Sequence, residues 1–314
     1  MTIRAFALTS FDTPPTLLDG LPEPTRADGE VLVRVQASSV NAVDSAIAVG
    51  MLTGMFEHRF PIVLGRDYAG VVEQAGSGVT GYAPGDEVFG FVLHADPIVQ
   101  KGSWTDLIAV PDDDFIAKRP AGVDLAAAGA APLAGVTALL SIDAFGLSPG
   151  DRVLIVGATG GVGSLAVQLA VHAGATVIAP ALPDDEDLLR SLGVSEMVER
   201  NADIVAAVRD RHPQGVDALL DLVSYAPEGF EANAAALGTG GRGASPLSAA
   251  GDGPGRTNVM AAEAPENLVR LGELLESGVL RVPIQATYTL DRAGEALLAL
   301  GTTHTQGKLA VEIA

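Results

Sequence analysis

The segment Arg152-Val153-Leu154-Ile155-Val156 runs straight into Gly157-Ala158-Thr159-Gly160-Gly161-Val162-Gly163, and a largely apolar stretch continues from those glycines to His172. A short apolar run bounded by glycine predicts a buried strand, and the longer run from Gly161 to His172 predicts a helix. Three glycines within positions 160 to 163 exceed what an ordinary strand-to-helix turn needs. Strand, glycine loop and helix in that order form the fingerprint of a phosphate cradle for a dinucleotide. Gly160 lets the backbone approach a pyrophosphate, and Gly163 lets the helix pack closely on the strand. The free N–H groups and the positive end of the helix dipole then face the phosphates. Ala158 takes the first fingerprint position in place of glycine. The cofactor-contacting candidates here are Ala158, Thr159, Gly160, Gly161, Val162 and Gly163.

The flanking sequence extends the pattern. Ala175 to Ala179 and Val216 to Val223 read as strands, and Asp184 to Leu192 and Asp203 to Arg211 read as helices. Near-continuous apolar strands alternating with helices predict a doubly wound parallel sheet covered on both faces, the Rossmann arrangement. Before it, Asp124 to Phe145 is Ala- and Leu-rich and predicts a helix capped by Asp124. Residues 1 to about 120 read as short strands between turn signals, a β-rich domain. The tail returns to mixed character, with a helix over Pro265–Ser277, a strand over Ile284–Leu290, a helix over Arg292–Leu300 and a last strand over Leu309–Ile313. Gly240 to Gly255 is glycine-rich and reads as a loop. At 314 residues the chain exceeds what one core usually serves, so two domains are expected.

The end of the second strand of such a sheet discriminates between nicotinamide cofactors. NAD binders place an acid there to bond the ribose hydroxyl. This chain has Ala181 near that position, which removes a repulsion against a 2′-phosphate, and Arg200 follows the next strand. Arg190 is a weaker candidate for the same contact. Asp184, Asp185, Glu186 and Asp187 suit the first turn of a helix, where anions are stabilised. NADPH is therefore favoured over NADH.

Charge and composition exclude several classes. Net charge is -20, from 19 basic and 39 acidic residues, which disfavours nucleic acid and anionic membrane as partners. No apolar run approaches the ~18 residues of a membrane span. Residues 1–8 lack the apolar core and cleavage site of a signal peptide and read as an opening strand, so a cytoplasmic location is expected. The chain has no cysteine, and no two of His58, His94, His172, His212 and His304 stand four apart. Neither thiolate catalysis nor a Cys-ligated zinc is available, and a metal-free mechanism is expected.

Several further segments resemble one family, the zinc-independent quinone oxidoreductase branch of the medium-chain dehydrogenase/reductases. Asn41-Ala42-Val43-Asp44 is similar to its Asn-x-x-Asp segment, and Gly65-Arg66-Asp67-Tyr68-Ala69-Gly70-Val71-Val72 to its G-x-[DE]-x-[AS]-G-x-V signature. Gly76 to Val88, Pro132 to Ala138 and Gly307-Lys308-Leu309 resemble its turn, linking helix and closing segment. The resemblance implies a GroES-like domain from residues 1–122 and 259–314, a Rossmann domain from residues 123–258, a nicotinamide cleft between them and commonly a homodimer. In the zinc-using branch a histidine follows the signature glycine, and here that residue is Arg66. By position, Thr137, Ser224, Ser245 and Lys308 join the cofactor-contacting candidates, and Asn41 falls beside nicotinamide and substrate.

With no metal to polarise a simple carbonyl, the expected acceptor is already electrophilic, a quinone or an α,β-unsaturated carbonyl. Asn41 is the first candidate for polar contact, against a turn-holding asparagine. Asp44 braces the loop or handles protons. Tyr68 is a candidate proton donor, against a core tyrosine, and His94 a candidate near the cleft, against a surface-loop histidine. A short-chain dehydrogenase needs Tyr-x-x-x-Lys. Tyr68, Tyr82, Tyr225 and Tyr288 are followed four residues on by Val72, Asp86, Gly229 and Arg292, so that class fails. The alternative is a cofactor-binding protein without hydride turnover, a sensor or an elimination or cyclisation enzyme. Ala46 and Leu52, where quinone-active relatives often carry tyrosines, keep it open.

Replacing Arg200 with alanine is expected to weaken NADPH by roughly tenfold, one charge-assisted contact, and NADH much less. Fluorescence titration with both dinucleotides checks this. Equal losses would remove Arg200 from the 2′-phosphate.

Overall fold

The computed structural model describes residues 2–93, 98–261 and 266–314. The chain divides into two compact units. The first comprises Met1–Leu133, Ala264–Glu276 and Ile284–Ala314, and the second Ala134–Glu263 and Ser277–Pro283. The sequence reading drew the first boundary at residue 122. The helix Leu125–Ala130 belongs instead to the first unit, because Gly129 lies directly against Ala37.

The first unit is β-rich. Among the described residues, its main sheet runs in the order Ile116–Lys118, Glu87–Phe91, Asp67–Ala75, Glu30–Ser39, Lys308–Glu312 and Ile284–Thr289, and Leu107–Pro111 also pairs with Glu30–Ser39. Thr2–Leu8 forms a second sheet with Thr16–Pro22 and Ile62–Val63. Alternating Val31, Val33 and Val35 meet Val72, Ile108, Leu309 and Val311 in one core, with Trp104 fully buried beside Phe6 at a centroid distance of 6.0 Å. β-Branched side chains pack well on such pleated surfaces. The chain enters the strand Asp67–Ala75 through Gly65, whose φ of +84° is open to glycine and whose missing side chain leaves room for the Trp104 indole. The closing strand Lys308–Glu312 inserts beside the strand Glu30–Ser39, pairing Ala310 with Ser39 antiparallel, and Val40 N donates to Leu309 O at 2.9 Å. Residues from the two ends of the chain thereby become neighbours.

The second unit holds a six-stranded parallel sheet. Its order is Glu196–Glu199, Thr176–Ala181, Arg152–Val156, Val216–Asp221, Leu237–Ser245 and Arg256–Asn258. Numbered along the unit, this is the 3-2-1-4-5-6 order of the Rossmann fold. Leu154, Val156, Ile178, Val198 and Leu219 form its core with Phe230. Asp203 caps the helix Ile204–Arg211 by accepting from Ala206 N at 2.9 Å, and Asp124 caps Leu125–Ala130 in the same way.

Three sequence readings change. The helix expected over 124–145 breaks into Leu125–Ala130 and Pro132–Asp143, because Pro132 has no N–H to continue the first. The loop expected over 240–255 begins as a strand, Leu237–Ser245, which hydrogen bonding to Ala218–Leu220 and to Arg256–Asn258 holds extended despite its glycines. The helix Pro227–Ala234 was not expected at all, and it buries Phe230 under the Arg256 guanidinium, 5.1 Å from the ring centre.

Candidate functional site

In the second unit the strand order changes direction between Arg152–Val156 and Val216–Asp221. Ligands of open parallel sheets bind at the carboxyl ends of strands at such a point. The loop leaving the first strand turns at Gly157, with φ +91°, and rests on Leu222 and Val223 from the neighbouring strand's exit. The helix Gly161–His172 then starts at Gly160, which has φ −72° and ψ 178°, and its first bond runs from Ser164 N to Gly160 O at 2.8 Å. No side chain caps this end. The first N–H groups of a helix have no partner within it, so those of residues 161 to 163 are offered to whatever sits above.

The glycines differ in what they do. A Cβ at Gly163 would overlap the Gly157 carbonyl oxygen and crowd the Ala158 backbone, so Gly163 serves the packing of helix on strand. A Cβ at Gly160 would meet only Gly157 O, at 3.5 Å. Among the described residues no other atom comes within 4 Å of that position, which leaves room for a pyrophosphate. Thr159 and Ala158 are buried in the loop wall.

The other second-unit candidates also lie at strand ends. Arg200 is exposed just past Glu196–Glu199, and its backbone N donates to Ala181 O at 3.0 Å, which sets it beside the end of the second strand. Arg190 is engaged by Glu186, its Nε donating at 3.0 Å. Of the acids after Ala181, Asp185 is buried and accepts from Leu182 N at 2.9 Å, and Glu186 accepts from Arg190. Ser224 donates its hydroxyl to Asp221 Oδ2 at 2.7 Å, and the same buried carboxylate accepts from Val223 N, Ser224 N and Asn233 Nδ2. Ser245 Oγ accepts from Leu247 N at 3.1 Å. Thr137 is buried in the helix Pro132–Asp143.

The first unit carries a compact polar centre. Asp67 is fully buried. Its Oδ2 accepts from Ser39 Oγ at 2.6 Å and Asn41 Nδ2 at 2.8 Å, and its Oδ1 accepts from Leu133 N at 2.7 Å. Lys308 Nζ donates to Asn41 Oδ1 at 2.6 Å and Val40 O at 3.1 Å, and stands 3.4 Å from Asp67 Oδ2. Beside it Asp44 accepts from Asn41 N at 2.8 Å and faces Arg66, with Oδ1 3.7 Å from Nε. Arg66 is buried, its guanidinium tied to the carbonyls of Leu93, Val63 and Lys101. Burial pushes the Asp44 carboxyl up to about 7 against the opposing pull of Arg66, and burial lowers Arg66 to about 10.

The structure places each of these candidates. Asn41 and Asp44 come together with Lys308, as neighbours in one network. Lys308 directs all three donors inward to protein acceptors. Tyr68 is corrected. It lies in the core strand with no exposure, its hydroxyl donating to Phe115 O at 3.0 Å, and burial raises its pKa, which is the core-tyrosine reading. His94 lies outside the described residues. Asp67 and Ser39 were missed as site residues, although Asp67 occupies the acidic place of the 65–72 signature. A buried acid in a strand is itself the signal, because such a group requires partners. Among the described residues no group of three or more His, Cys, Asp or Glu side chains is placed to hold a metal ion.

Comparison with known proteins agrees with this geometry. Residues 27–121 match the alcohol dehydrogenase GroES-like domain family, and residues 161–246 match the zinc-binding dehydrogenase family. The chain is 30% identical over 310 residues to a chloroplast envelope quinone oxidoreductase homolog of Arabidopsis thaliana, covering 93% of this chain and 92% of that protein. It is 31% identical over 294 residues to the 2-methylene-furan-3-one reductase of Solanum lycopersicum, covering 92% and 73%. The structure of the quinone oxidoreductase from Coxiella burnetii superposes with a TM-score of 0.89 at 28% identity over 100% of both chains. The chain belongs to the medium-chain dehydrogenase/reductase family, in its quinone oxidoreductase-like branch.

Gly160→Val is expected to keep the fold, since its φ and surroundings admit a side chain, and to weaken NADPH at least tenfold by filling the cradle. Isothermal titration alongside a melting curve checks both, and wild-type affinity would place the pyrophosphate elsewhere. Gly163 is the poorer probe because its substitution disturbs the backbone itself. Asp44 gives a pH signature. A carboxyl raised on folding from 3.8 to about 7 lends full stability below about pH 4 and loses it as pH rises through 7. Urea unfolding should show wild type losing stability relative to Asp44→Asn across that window. A difference that does not vary with pH would mean that Asp44 is ionised throughout.

Proposed function

We propose that this protein reduces a quinone or an α,β-unsaturated carbonyl by hydride transfer from NADPH, without zinc. The cradle at Gly160 carries the reading: among the described residues a Cβ there would meet only Gly157 O, at 3.5 Å, and the uncapped start of the helix Gly161–His172 lies beside it. NADPH is preferred over NADH because Ala181, and not an acid, ends the second strand, and Arg200 follows the next one. Zinc independence rests on a chain without cysteine and on Arg66 after the signature glycine. A homodimer is proposed on family grounds. The relatives' names, a quinone oxidoreductase and a 2-methylene-furan-3-one reductase, support acceptors that are electrophilic before any catalyst touches them.

When bound, the reduced nicotinamide supplies the hydride. The chain's own part is to hold the acceptor and to meet the charge that develops on its oxygen. Asn41 is the donor for that oxygen, since one Nδ2 hydrogen goes to Asp67 and one is left over. A neutral amide donor suits a conjugated acceptor, whose charge is delocalised, better than it suits a simple ketone. Asp44 braces the turn through Asn41 N. With Tyr68 in the core, the completing proton comes from water.

The test is NADPH oxidation, followed by near-ultraviolet absorbance, against a panel of quinones and enones. Turnover is expected, and Asn41→Ala is expected to lower kcat on the order of a hundredfold with little change in NADPH affinity. Tight NADPH binding with no oxidation across the panel would favour a protein that holds the dinucleotide for another purpose.

A further inference from the structure

We infer that Lys308, 267 positions from Asn41 in sequence yet adjacent to it in space, is a positioning residue that fixes the Asn41 amide for its substrate. The inference rests on reading Asn41 as the donor to the acceptor oxygen. Lys308 is 3% exposed, and an ammonium taken out of water must place its three hydrogens on acceptors. Those acceptors are Val40 O, Asn41 Oδ1 and Asp67 Oδ2. If Lys308 served only to neutralise Asp67, its shortest bond would go there. Instead the bond to Asn41 Oδ1 is 2.6 Å and that to Asp67 Oδ2 is 3.4 Å. Asp67 meanwhile is already served by Ser39 Oγ, Asn41 Nδ2 and Leu133 N.

The consequence for Asn41 is a single orientation. Its Oδ1 faces a cation and its Nδ2 faces a carboxylate. Turning the amide over would set N–H against ammonium and carbonyl oxygen against carboxylate, losing two charge-assisted bonds and creating two repulsions. Only one N–H remains uncommitted, and the plane of the locked amide fixes its direction. The turn itself is closed by Asp44, which accepts from Asn41 N at 2.8 Å while its own N donates to Asn41 O at 3.0 Å. A donor held rigidly before the reaction needs no reorganisation during it, which is how a weak neutral donor becomes effective. Lys308 touches no substrate in this scheme and acts through Asn41.

The experiment is a double-mutant cycle on the full chain, with Asn41→Ala, Lys308→Met and the double variant. NADPH-dependent reduction of phenanthrenequinone and of methyl vinyl ketone is measured for each, with NADPH affinity by titration. Lys308→Met is expected to lower kcat roughly tenfold to a hundredfold with NADPH affinity kept, and to add almost nothing in the Asn41→Ala background. Losses that multiply would overturn the inference, because Lys308 would then act independently of Asn41. Lys308→Arg keeps the charge near Asp67 if Lys308→Met fails to fold. Its planar fork cannot reproduce three tetrahedral donors, so a lowered kcat and the same non-additivity are expected, and wild-type kcat would overturn the inference. A separate readout needs no turnover: the side-chain amide resonances of Asn41 in protein labelled at asparagine. Slow amide hydrogen exchange in wild type and faster exchange in either Lys308 variant support the tether, and unchanged exchange removes it. Full activity of Asn41→Ala would instead sink the donor reading, whatever the amide resonances report about the tether.

Discussion

A carboxylate removed from water must be surrounded by donors, and Asp67 is fully buried. Its donors come from three separate parts of the chain: Ser39 at the end of one strand with Asn41 just past it, Leu133 at the start of a helix, and Lys308 on the closing strand. Removing any one leaves a buried acceptor short of a partner, so these segments are held together by one another's needs. The first unit can be completed only when the closing strand has inserted beside the strand Glu30–Ser39, because that pairing delivers Lys308. The polar centre and the sheet therefore specify the same arrangement.

The second unit uses the same device at another strand end. Asp221, also buried, gathers Val223 N, Ser224 N, Ser224 Oγ and Asn233 Nδ2. The turn it orders supplies Leu222 and Val223, against which the glycine loop rests at Gly157. The cradle is thus built on a rigid neighbour, and its helix end needs no side-chain cap of its own. Preformed donors that the fold leaves unpaired are what an anionic ligand requires.

Among the described residues, the polar groups around Asn41 hold one another. Asp44 and Arg66 answer each other across 3.7 Å, Asp67 and Lys308 share Asn41 between them, and Tyr68 is sealed in the core. Among the described residues, the proposed arrangement presents a neutral donor, the Asn41 amide, on a fixed frame. Such a site gives little help to an unactivated carbonyl and enough to a conjugated one, which is the physical content of the proposed substrate class.

The Rossmann unit was legible from local pattern, because a parallel strand buried on both faces must be apolar throughout and a phosphate cradle must be glycine-rich. Val153 to Val156 and Gly160 to Gly163 carry that information within a dozen residues. The helix Pro227–Ala234 and the glycine-bearing strand Leu237–Ser245 were not legible, since hydrogen bonds from neighbouring strands, absent from the local sequence, hold the one extended and Phe230 anchors the other. The same division runs through the polar centre. Asn41 and Asp44 announce themselves by motif, whereas Asp67 holds the acidic place of its signature without the motif saying that it gathers the others. That Tyr68 points into the core, that Arg66 answers Asp44, and that Lys308 grips Asn41 from 267 positions away were decided by strand pairing. Local chemistry determines which groups a chain carries, and only tertiary pairing determines which of them meet, because burial makes each polar group depend on partners that sequence distance does not reveal.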